Sequence, residues 1–143
     1  MSAFSVPAIA VLGAAIAYRQ WRTAQNKLKL DLFEKRFAVY DAARRLLASV
    51  LTSGKVRDEE MFKCFVATRE AKWLLSDQVA HYLDKVLRHR LLELQALDAE
   101  LEGVPVGPDR SANVKKQTEI KNWLGLQFDA LDENFAPYLR LTH

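Results

Sequence analysis

Hydrophobic and polar positions divide this chain into four stretches of helical spacing separated by short polar breaks. The first is apolar throughout: Met1–Tyr18 carries no charge, and Val6–Ala17 (VPAIAVLGAAIA) is almost wholly hydrophobic. Eighteen residues at 1.5 Å each give about 27 Å of helix, close to a hydrocarbon core of about 30 Å. Pro7 falls in an early turn, where a missing amide proton costs least. The pattern predicts a transmembrane anchor over residues 1–20. A cleaved signal peptide (Ala15-Ile16-Ala17 has the A-x-A form) and a buried or interfacial helix are the competing readings.

No Gly or Pro occurs from residue 14 to 53, so one helix can run from the anchor to Gly54, whose left-handed conformation would close it. Leu30, Phe33, Phe37, Tyr40, Leu47 and Leu51 form its 3–4 spaced stripe, interrupted by Arg44. Residues 55–102 also lack Gly and Pro. Asp58 is placed to cap a helix there. A seam from Phe62 through Val66, Arg69, Trp73, Ser76, Ala80, Leu83, Leu87, Arg90, Leu94 and Leu97 to Leu101 keeps one phase. Ser76-Asp77 offers a second cap, so this stretch is one long helix or two. Gly103–Arg110 (GVPVGPDR) reads as a loop. Ser111 then caps a last helix with Val114, Ile120, Leu124, Phe128, Leu131 and Phe135 inward, and the apolar tail after Pro137 folds back. The fold class expected is all-α: a single N-terminal transmembrane helix continuing into a cytoplasmic antiparallel helical bundle. The bundle covers residues 21–143, with helices near 21–52, 58–75, 77–102 and 111–135.

Composition narrows the chemistry. Among 143 residues there are 5 Gly, 4 Pro and 1 Cys, too few for a turn-rich β fold, a disulfide framework or a multi-cysteine zinc site. No glycine-rich phosphate loop or nucleophile elbow is present. The net charge of +3 is uneven: residues 1–53 hold 8 basic against 3 acidic residues, and residues 54–103 hold 8 against 10. Arg19, Arg22, Lys27 and Lys29 follow the apolar run at once, with Tyr18 and Trp21 beside them. Aromatic residues and cations in that order belong at a membrane interface, where they meet anionic headgroups and place the following chain in the cytoplasm. Nucleic acid is the weaker reading of this cluster.

Asp77, His81 and Asp84 share a helical face and are weak metal candidates. Solvated i,i+4 contacts explain them better, as they do His89 and Glu93. Cys64 lacks a neighbour that would activate it. Arg44, Arg69 and Arg90 interrupt apolar seams and, if buried, need partners such as Asp41, Glu70, Glu93 or Asp129. No catalytic residue and no cofactor is expected.

Gln20–Ala43 (QWRTAQNKLKLDLFEKRFAVYDAA) resembles a signature of small, uncharacterised bacterial membrane-anchored helical proteins. The shared positions are Gln20, Trp21, Lys27, Leu28, Leu30, Asp31, Leu32, Phe33, Arg36, Val39 and Tyr40. The closing Phe135-Ala136-Pro137-Tyr138-Leu139 is similar to how those proteins end. The resemblance implies a single-pass protein of the bacterial inner membrane, N-terminus outside, and no catalytic residues.

The expectation is therefore a non-enzymatic membrane-tethered interaction module, self-associating or an accessory subunit of a larger complex. Phe33, Phe37, Tyr40 and Arg44 are its expected partner contacts, and the partners are the bilayer and itself or another membrane protein. The alternative is a homo-oligomeric pore, although a span lacking polar residues beyond Ser2 and Ser5 argues against a hydrated lumen.

Overall fold

A computed structural model describes residues 5–140, and every regular element in it is helical. The chain divides into two units, Met1–Glu34 and Lys35–His143. Helix α1 (Ser5–Ser53) is the longest element. It is followed by α2 (Asp58–Thr68), α3 (Ala71–Leu74), α4 (Asp77–His81), a π-helical stretch (Tyr82–Leu87), α5 (Arg88–Leu101) and α6 (Pro108–Phe135).

In the first unit, side chains from Ser5 to Leu30 are all exposed, Val6, Ile9, Val11, Leu12 and Ile16 among them. Among the described residues, no helix is long and apolar enough to cross a membrane. The transmembrane helix expected over residues 1–20 is therefore not supported. The apolar run Val6–Ala17 is only twelve residues, about 18 Å of helix, before Tyr18 and Arg19 dilute it.

The second unit is a helical bundle around one core. Gly54 ends α1 at φ +74, and its amide donates to the Val50 carbonyl at 2.8 Å, which only a residue without a Cβ adopts cheaply. Ser76 caps α4, its hydroxyl accepting from the Val79 amide at 3.2 Å, so residues 58–102 are broken there. The break is larger than one cap, because the helix expected over 58–75 is itself interrupted at Arg69-Glu70. Two other caps differ from expectation. Asp58 is already inside α2 and accepts a hydrogen bond from Gln95 Nε2 instead. Helix α6 starts at Pro108, whose fixed φ suits a first helical position, so Ser111 lies within it and donates to the Gly107 carbonyl at 3.1 Å.

The inward face of α1 is Val39, Ala43, Leu46, Leu47 and Val50. Leu47 is buried as expected, and the other four lie one residue before the expected stripe, a rotation of about 100°. It leaves Arg44, Phe37 and Leu51 on the outside. The seam of residues 58–102 also turns out differently in its first half. Phe62, Val66, Arg69 and Trp73 are exposed, while Cys64 and Ala71 face the core. From Val79 onward the buried positions are Val79, Leu83, Leu87, Leu91 and Leu94, so Leu91 takes the place expected of Arg90. Three successive steps of four would drift about 120° around an α-helix. The wider i→i+5 turn at Tyr82–Leu87 underwinds the chain and keeps these leucines on one face.

Helix α6 buries Asn113, Gln117, Ile120, Leu124, Gln127, Leu131 and Phe135. Val114, expected inside, is exposed one position away from Asn113. Three polar residues in this stripe are hydrogen-bonded: Asn113 Nδ2 to the Leu97 carbonyl (2.9 Å), Gln117 Nε2 to Asn113 Oδ1 (2.8 Å), and Gln127 Oε1 from Tyr82 (2.7 Å). The pairs 97/113 and 82/127 run in opposite directions, so α6 is antiparallel to the chain from the π-helical stretch through α5. After α6, Tyr138 and Leu139 pack back on the core.

Candidate functional site

The expected lipid-facing residues are all in the first unit. Tyr18, Arg19, Trp21, Arg22, Lys27 and Lys29 are exposed on the helix that begins at Ser5. Tyr18 and Trp21, three residues apart, lie with ring centroids 6.1 Å from one another. Four cations without an intervening acid follow an uncharged helix, which makes a local positive potential beside an apolar surface.

The expected partner contacts on α1 have different fates. Phe37 and Arg44 are exposed, and Phe33 is half-buried. Tyr40 is half-buried and engaged within the bundle. Its hydroxyl donates to Asp132 Oδ1, and its ring lies 5.5 Å from that of Phe135. The bond to the Asp132 carboxylate holds the Tyr40 hydroxyl above the ordinary phenol range. Arg36, named in the sequence only as part of the signature, does more in the structure. It reaches the Leu74 carbonyl and the Tyr138 ring.

A groove of about 760 Å³ lies between α2 and the stretch from Asp77 to Arg88. Phe62, Phe65, Val66, Ala80 and Leu83 give it an apolar floor. Asp77, His81 and Asp84, the weak metal candidates, all line it. Among the described residues, however, no three His, Cys, Asp or Glu side chains are grouped to hold a metal ion. Asp84 is instead bonded to Arg88 (3.2 Å) and Lys85 (3.3 Å). The Arg88 bond chiefly holds its carboxyl below the usual range. Arg88 also lies 4.8 Å over the Phe65 ring, so one guanidinium is fixed by a carboxylate and an aromatic face together.

Two further side chains bear on chemistry. Cys64 is buried, and burial pushes its thiol up to about 12, which makes it a poor nucleophile. Arg90 is exposed, paired to Glu93 at 3.0 Å and placed 5.7 Å over the Trp123 ring. Arg69 and Arg44 are exposed as well, so none of the three seam arginines is a buried charge.

The groove was hidden in the sequence because Phe62, Val66 and Trp73 have the spacing of a core seam. Only packing shows that α2 buries Cys64 instead. No family model matches this chain, and no curated protein or solved structure matches it.

Proposed function

We propose that this chain is a non-enzymatic, membrane-tethered helical interaction module. One observation carries the tether: an uncharged apolar helix with every side chain exposed, followed directly by exposed Tyr18, Trp21, Arg19, Arg22, Lys27 and Lys29. Moving Val6, Ile9, Val11, Leu12 and Ile16 from water into hydrocarbon gains about 1.5–3 kcal/mol each, by far the largest favourable term open to this segment. Each cation near an anionic surface adds about 1 kcal/mol and orients the chain, the basic side remaining in the cytoplasm. The resemblance of Gln20–Ala43 to bacterial membrane-anchored helical proteins supports the same placement.

Vesicle flotation tests this reading. The full chain should float with phosphatidylglycerol-containing vesicles and resist carbonate extraction. Leu12→Glu with Ile16→Glu should leave it in the soluble fraction with unchanged helical content. Arg19→Gln with Arg22→Gln should weaken binding to anionic vesicles far more than to neutral ones. Loss of the wild-type chain from vesicles on salt or carbonate treatment would reject the tether.

A further inference from the structure

We propose that the groove between α2 and the Asp77–Arg88 stretch docks an acidic amphipathic helix of a partner protein. The inference deepens the interaction-module reading by naming the partner's chemistry, and it does not depend on the lipid tether.

The apolar component is exposed where a monomer gains nothing from exposing it. Phe62 is 71% exposed and Val66 56%, one turn apart on α2, although Cys64 between them is buried. Their spacing is that of a row that receives the i, i+3, i+4 and i+7 side chains of a docked helix. Apolar surface extends further: Lys72, on the groove wall, lies 5.4 Å over the ring of Trp73, which is 82% exposed. Exposed aromatic and arginine side chains around a concavity are the residues that dominate binding energy at interfaces.

Charge selects the occupant. The groove is lined by Arg69, Lys72, Lys85 and Arg88 against Asp77 and Asp84, a net +2 with His81 counted as neutral. Asp84 is already engaged by Lys85 and Arg88. Among the described residues, Arg69 and Lys72 form no ion pair. The partner's polar edge must therefore supply carboxylates. This chain's own exposed apolar helix, Val6–Ala17, is uncharged and followed by four cations, the wrong sign for that rim. The π-helical stretch completes the wall, placing Leu83 on the floor and Asp84 and Lys85 at the edge. Such stretches recur at functional sites.

The test uses the full chain, in buffer where it is soluble and in lipid nanodiscs where it partitions to vesicles, and a fluorescein-labelled synthetic 18-residue helix with Leu at i, i+3, i+4 and i+7 and Glu elsewhere. Anisotropy should show saturable binding that weakens with salt. It should fall at least tenfold for Arg69→Glu with Lys72→Glu, and likewise for Phe62→Asp. These positions are exposed, so the variants should keep the wild-type circular dichroism, and Val66→Asp provides a second apolar probe. Equal binding of a peptide with Lys in place of Glu would overturn the proposal. So would wild-type binding by Phe62→Asp and Val66→Asp together. Displacement of the peptide by equimolar dodecanoate would reassign the groove to anionic amphiphiles. A dimer in which Phe62 becomes protected would reassign it to a second copy. Failure of the peptide to bind a chain that still floats with vesicles would reject the groove and leave the tether standing.

Discussion

Arg36 Nε donates to the Leu74 carbonyl oxygen at 2.7 Å, while its guanidinium carbon lies 5.5 Å from the centre of the Tyr138 ring. One side chain on α1 thus closes the C-terminal end of α3 and holds the tail that follows α6. Leu74 is the last residue of a four-residue helix, so its carbonyl has no partner further along α3. A cation there also meets the negative end of the local peptide dipoles.

Removing that cation should be costly for a side chain so near the surface. Arg36→Ala is expected to lower stability by about 1.5–3 kcal/mol, the range for a hydrogen bond to a charged group. Arg36→Lys should recover less than half, because a flexible ammonium cannot match a planar guanidinium that bonds and stacks at once. Urea denaturation of both variants checks this, and a full rescue by lysine would show that only charge matters. Tyr138→Ala should lose about 0.5–1 kcal/mol for the cation–π contact and, beyond that, the packing of the ring on the core.

The sequence made the all-helical class and the main breaks legible. Gly54 and Ser76 act through the local backbone, and local backbone needs are written in residue type. Faces were less legible, because a face depends on the partner helix. Val39 and Tyr40 are both apolar neighbours, and only packing against α6 decides that Val39 turns inward while Tyr40 reaches Asp132. Asn113 and Gln117 are buried where apolar spacing points to Val114, because a polar residue at a core position carries no apolar signal. The groove was lost for the opposite reason. Phe62 and Val66 look like core in any periodic reading, and their exposure is a tertiary fact.

Tyr82 links the π-helical stretch to α6 through Gln127, and burial pushes its hydroxyl up to about 12. The unfolded chain, with an ordinary phenol near 10, loses this proton first. Stability from the neutral hydroxyl is therefore complete below about pH 10 and is lost as pH rises towards 12. Cys64, raised from 9.0 to about 12, acts with the same sign from about pH 9 upward. Urea midpoints should fall steadily across this alkaline window. Tyr82→Phe should flatten the fall and cost about 1–3 kcal/mol at neutral pH by leaving the Gln127 oxygen unpaired.

Burial of Cys64 has a second consequence. At pH 7–8 almost none of its thiol is ionised in the folded chain, and the sulfur is covered. Alkylation by maleimide should therefore proceed only through opening of α2 and accelerate sharply above the urea midpoint. Modification of the native protein at the rate of a free thiol would place Cys64 on the surface and overturn the assigned face of α2. The exposed Phe62–Val66 row would then lose its basis.

Asn113 and Gln117 form a buried polar pair that reaches α5 through the Leu97 carbonyl. Apolar residues would pack this stripe more strongly, as Ile120, Leu124 and Leu131 do further along. The pair fixes which carbonyl of α5 faces α6, because a shift of one residue would leave the Asn113 amide, itself held by Gln117 from within α6, buried without its partner on α5. Asn113→Ala should cost about 1–3 kcal/mol, since it strands the Gln117 amide. Replacing both with leucine should be near neutral in stability, because no buried polar group is then left over. The double variant should nevertheless lose register. Its amide resonances in the 97–117 region should broaden or double while the urea midpoint holds, and sharp single resonances would show that apolar packing alone sets the alignment of α5 on α6.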